Sequence, residues 1–152
     1  MTQPMEVGKA IIRHLRAQEG HYLSIKQAVE KQTGFITAMD TGRLTSGTTE
    51  VRGLMRKVRD LELSLRPLRQ SWATMGIDRS MTEQREIESQ IASIRGLIGA
   101  IQEAKERNTS LLVESMDKVR GQMVGLNSRS SAARAYHSEK PQAAARFIDK
   151  SN

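Results

Sequence analysis

The sequence contains no cysteine. That excludes disulfides, thiolate metal sites and a cysteine nucleophile. Aromatic residues are almost as scarce: Tyr22, Phe35, Trp72, Tyr136 and Phe147 are all there are. A core must therefore be built from aliphatic side chains. Leu, Ile, Val and Phe together supply about a fifth of the chain, just above the level that signals disorder. No uncharged apolar run approaches the ~18 residues of a membrane span. The opening MTQPMEVGKAII lacks the basic stretch and apolar run of a signal peptide. These absences predict a soluble, cytoplasmic protein with no membrane insertion. Period-2 alternation and β-branched runs are missing too, so no sheet is expected.

Charge of one sign is not concentrated anywhere. The 24 Lys and Arg outnumber the 17 Asp and Glu for a net +7, yet no Lys/Arg block occurs. A nucleic-acid binder gathers its basic charge on one face. This distribution describes a solvated basic surface, and no nucleic-acid partner is expected.

What the chain does have is periodicity. Ile11, Leu15, Gln18, Tyr22, Ile25, Val29, Gln32, Ile36 and Met39 recur at spacings of four and three, the 3.5-residue repeat that keeps one seam facing a neighbouring helix. Pro4 suits a first helical turn, and Asp40-Thr41-Gly42 suits a stop. A second seam runs through Val51, Leu54, Val58, Leu61, Leu65, Leu68, Trp72 and Met75. Pro67 interrupts its backbone without shifting the register, which predicts a kink rather than an end. Ser80-Met81-Thr82-Glu83 has capping-box spacing. After it Ile87, Ile91, Ile94, Ile98, Ile101, Lys105, Asn108, Leu112, Ser115, Val119, Gln122 and Leu126 hold one register, turning polar from Lys105 onward. The helices are expected at about 4–40, 46–75 and 81–127. Together they predict an all-α, elongated antiparallel three-helix bundle of coiled-coil character over residues 1–128. Residues 129–152 lack period and core, and predict a disordered tail.

Chemistry is hard to find in this pattern. His14 and His21 stand two turns apart, too far for a helical chelate. Glu86 and Glu88 point to different sides of a helix. The glycines of GLIGA, residues 96–100, follow no strand and precede no Lys-Ser/Thr, so they are no phosphate loop. Gly121-x-x-x-Gly125 has the spacing of a helix-dimerisation motif outside any membrane span; close helix packing or fraying accounts for it. No enzyme, metal or cofactor is implied.

The order of features resembles the FlgN-type flagellar export chaperones. The resemblance rests on AMDTGRLTSGTTEVRGLMRKVRDLELSLRPLRQSW (38–72) and on NTSLLVESMDKVRGQMVGL (108–126), followed by a tail with a lone Tyr. It implies that the end of the third helix holds the C-terminal helical segment of flagellar hook-associated proteins. The residues concerned are Leu111, Leu112, Met116, Val119, Met123, Val124 and Leu126. It also implies that Tyr136 presents the chaperone to an export gate protein, with Phe147-Ile148 as a second contact. The tail's own composition agrees in one respect, because aromatics there have no core to enter and suit a motif that is buried only on a partner. Heptads alone also support a structural coiled coil, whether stalk, tether or homo-oligomer, and a Met/Leu stripe serves core as readily as groove.

Overall fold

A computed structural model describes residues 4–137. Three helices account for nearly all of them: α1 (Pro4–Thr37), α2 (Thr41–Met75) and α3 (Met81–His137), with a short 3-10 turn at Gly76–Asp78. No strand occurs among the described residues, and the fold is an all-α three-helix bundle. The chain divides into two compact units, Met1–Leu111 and Leu112–Asn152. The first holds α1, α2 and the opening part of α3.

Within the first unit α1 and α3 run parallel and α2 antiparallel to both. Arg16 pairs with Glu86, and further along the same two helices the Asn108 amide reaches the Val29 carbonyl. The heptad seams supply the packing. On α2, Val51, Val58, Leu65 and Trp72 are buried, while the alternate seam positions Leu54, Leu61, Leu68 and Met75 are half-buried. On α3, Ile87, Ile94, Ile101 and Asn108 are buried in the same seven-residue rhythm. Two apolar clusters result. One joins Ile11, Leu15, Leu65, Trp72, Ile87 and Ile94; the other joins Ile25, Val29, Val51, Val58, Ile101 and Ala104. Tyr22 touches both.

A polar belt lies near that junction. Buried Gln18 donates its amide to Glu62 at 3.2 Å. Arg69 grips the same carboxylate with two bonds of 2.7 and 3.1 Å, a bidentate pairing that fixes both side chains. Burial, and secondarily the Glu62 charge, pushes the Tyr22 phenol above its ordinary pKa.

The joints differ from the sequence expectation in instructive ways. The first helix stops at Thr37 and the second begins at Thr41, not 46. Asp40 N–H donates to the Phe35 carbonyl at 2.9 Å, and Met39 N–H to that of Ile36 at 3.1 Å. This is the Schellman pairing that closes a helix, with its left-handed residue supplied by Met39 (φ 55) instead of a glycine. Asp40 then caps the next helix by accepting from Arg43 N–H at 3.1 Å. One short acid thus serves both ends, its N–H closing α1 and its carboxylate starting α2. The hydroxyls in and just after the expected joint, residues 41–45, instead bond back along the helix. Thr45, Thr48 and Thr49 each donate to the carbonyl four residues earlier.

Pro67 sits inside the unbroken span of α2. It lies on an exposed side, with Leu63 at 53% exposure, where water can take up the carbonyl deprived of its donor. The capping box at α3 is only half made. Ser80 Oγ accepts from Glu83 N–H at 3.3 Å, but the Glu83 carboxylate turns instead across Gly8 of α1. A Cβ at Gly8 would fall 2.0 Å from Glu83 Oε2 and 2.8 Å from the Trp72 ring. Gly8 is the position where close approach demands a missing side chain.

The seam also corrects itself in α3. Lys105 is exposed, and Ala104 takes the buried position between Ile101 and Asn108. A small apolar residue one place earlier spares the core a charge. Finally, α3 continues to His137, past the expected end at 127. Ala132, Ala133, Arg134 and Ala135 are strong helix formers and carry the helix through a stretch with no hydrophobic period. The rest of the expected tail, with Phe147 and Ile148, lies outside the described residues.

Candidate functional site

The second unit offers a different surface. None of residues 112–136 is buried, so apolar side chains there are displayed rather than packed. Leu112, Met116, Val119, Met123 and Leu126 recur at spacings of four and three. At 100° per residue they fall within one narrow stripe, roughly 21 Å long. Leu112 is 37% exposed, Met116 53%, Met123 58% and Leu126 62%; Val119 is half-buried. An apolar stripe of this kind gains nothing for stability while it faces water.

Sequence reasoning named each of these five residues, and the helix aligns them. Val124, also named, is 64% exposed but stands to one side of the stripe. Val113, at 53% exposure, flanks the stripe on that same side and was missed. Its signal was the eleven-residue spacing to Val124, three helical turns that repeat one face. Leu111 is half-buried and belongs to the first unit. Tyr136, in the last turn of α3, is 86% exposed.

Gly121 and Gly125 lie on the side of the helix opposite the stripe. They open a shallow notch of about 590 Å³ with Lys118, Gln122, Leu126 and Arg129. Nothing in the described chain stands within 4 Å of a Cβ placed on either glycine, so they do not admit a neighbouring helix of this chain. Two methionines in a five-residue stripe add adaptability, since an unbranched thioether side chain conforms to varied partner surfaces.

Elsewhere the described residues hold no cluster of His, Asp or Glu fit to bind a metal. No described helix is long and apolar enough to cross a membrane. His14 donates its ring N–H to the Ala10 carbonyl at 2.7 Å, a bond within its own helix.

A heptad bundle that continues into a helical segment with an exposed apolar stripe defines an all-α, helical-bundle protein. The FlgN protein family matches residues 5–143. The chain belongs to this family of flagellar export chaperones. No curated protein and no solved structure matches it.

Proposed function

We propose that this chain works in the cytoplasm, binds the C-terminal helical segment of flagellar hook-associated proteins and delivers them to the export gate. The uncovered stripe of Leu112, Met116, Val119, Met123 and Leu126 carries the reading. It suits the mode in which an amphipathic helix lays its apolar face against spaced anchors, with Leu111 and Val124 as flanking contacts. Tyr136 is the contact to the gate protein, with Phe147 and Ile148 adding a second. A large exposed aromatic contributes disproportionately once a partner buries it.

The test is Met116→Gln with Met123→Gln. Gln matches Met in helix propensity, and both positions are exposed, so melting should be unchanged. Affinity for the C-terminal segment of a hook-associated protein should fall at least about tenfold, the loss of ~1.4 kcal/mol or more of contact. Retained affinity would refute the assignment. A wild-type dimer that dissociates in the double variant, with no client binding in either, would assign the stripe to self-association. For delivery, Tyr136→Ala should leave client affinity intact and reduce secretion; normal secretion would remove Tyr136 from the mechanism.

A further inference from the structure

A second surface lies wholly within the first unit. Side chains of α1, α2 and α3 enclose a concavity of about 490 Å³, and four cations surround it: Arg52, Arg56, Arg59 and Lys105. No carboxylate lines it. Its accessible apolar surface is Met55, 40% exposed, with the edge of Val51 behind it and the polar Gln32 and Thr48 alongside; Val29 underlies it, fully buried.

The cations are arranged at a cost. Arg52, Arg56 and Arg59 stand four and three residues apart on one face of α2, a spacing at which like charges repel. Asp60 stands four residues from Arg56 and Glu62 three from Arg59, but neither closes an ion pair with them. Of the three other arginines of the same helix, Arg43 is paired with Asp40 and Arg69 with Glu62, while Arg66 is not paired among the described residues. Arg52, Arg56, Arg59 and Lys105 form no ion pair among the described residues. The core seam does not require them either, since all four are exposed. Unpaired like charges beside exposed apolar surface form a receptor for a ligand that is both anionic and apolar.

We infer that this concavity docks an acidic amphipathic segment of a protein partner, with carboxylates on the arginines and an aliphatic side chain on Met55 and the edge of Val51. Charge complementarity selects that occupant. The chain's own last fifteen residues, SEKPQAAARFIDKSN, carry two acids against three bases, so they gain little here. A second copy brings a net +7 and is repelled. Single-stranded nucleic acid has the charge, but such sites add aromatic platforms on which bases stack. No aromatic lines this concavity. The site is separate from the stripe proposed for client binding and does not depend on that assignment.

The experiment uses fluorescence anisotropy with the full chain and three labelled probes. One is a Glu/Leu peptide with its leucines on one helical face, the second its scrambled isomer, and the third a single-stranded oligothymidylate of equal charge. The amphipathic peptide should bind most tightly. Its affinity should fall about tenfold or more in the Arg52→Gln, Arg56→Gln, Arg59→Gln variant, and several-fold in Met55→Gln. Both variants change exposed residues to a good helix former, and unchanged melting curves verify their folds. Failure of the amphipathic peptide to bind overturns the proposal, as does equal binding to the triple variant. Equal or tighter binding of the scrambled peptide or the oligonucleotide overturns it too, because it would mark a bare polyanion site.

Discussion

The side-chain amide of Asn108 on α3 donates to the backbone carbonyl of Val29 on α1 at 2.9 Å, and Asn108 is only 5% exposed. Its oxygen accepts from the Thr33 hydroxyl at 2.5 Å, so the buried amide is engaged at both ends. One polar residue in an apolar seam fixes register, because sliding either helix would strand it. Asn108→Ala should cost about 2 kcal/mol, from two lost hydrogen bonds and a small cavity. Asn108→Asp should cost more at neutral pH, because a buried carboxylate then faces the Val29 carbonyl. That excess should shrink as the carboxyl protonates in acid. Urea midpoints at neutral and acid pH decide it, and Asp tolerated as well as Ala at neutral pH would contradict the donor assignment.

Glycines should respond according to what surrounds them. Gly8→Ala drives a methyl group into Glu83 and Trp72, and overpacking of this kind costs about 1–3 kcal/mol. Gly121→Ala and Gly125→Ala meet open space and should each strengthen their helix by up to ~1 kcal/mol. Thermal melts of the three variants give the signs. A neutral Gly8→Ala would mean that Glu83 swings away without loss.

Tyr22 predicts a pH effect. Its phenol is raised by burial and then by Glu62, so the folded state holds the proton above the ordinary value of about 10. Between the unfolded and folded values the native chain binds more protons, and stability falls as pH rises. The contribution is complete below about pH 10 and is lost above it. Tyr22→Phe should flatten the alkaline decline. In a Tyr136→Phe background, tyrosinate absorbance should report a midpoint for Tyr22 above that of a free phenol. A midpoint at the free value would remove the effect.

Trp72 is the only tryptophan and is buried in the first unit. Its indole N–H donates to Gln84 Oε1 at 2.7 Å. Its fluorescence therefore reports on the first unit alone, whereas helical circular dichroism reports on both. A helix with no buried residue lacks the tertiary packing that supplies most helical stability and relies on intrinsic propensity. Ellipticity should begin to fall at lower urea than Trp72 emission shifts. Coincident transitions would show that the second unit unfolds together with the first.

The seams were legible because burial follows a simple period. Every α2 seam residue from Val51 to Met75 is buried or half-buried in alternation. Local competition among polar groups was harder to read. Asp40 serves as a helix start because its carboxylate meets an orphan donor, and the hydroxyls after it bond within the helix instead of breaking it. The seam position lost by Lys105 went to Ala104, since a heptad count does not weigh a charge against a neighbouring methyl. The candidate site was visible as a surplus of apolar residues between Leu111 and Leu126. Sequence placed these residues on one helix, but only exposure separates a displayed stripe from a buried seam. The basic concavity was not legible at all: Arg52, Arg56 and Arg59 are close in sequence, but Lys105 and Val29 join them only through the fold.

The seven-residue rhythm of Val51, Val58, Leu65 and Trp72, matched by Ile87, Ile94, Ile101 and Asn108, constrains how the first unit can change in length. Removing one heptad, about 10 Å of helix, from each of the three helices at matching heights would return every remaining seam residue to its partners. Removing two residues from one helix would rotate everything beyond the cut by about 200° and turn its seam away from its neighbours, whereas three or four would only overwind or unwind the packing locally. Insertions and deletions that leave this packing undisturbed therefore come in sevens and in concert. The joints and the second unit are free of that arithmetic.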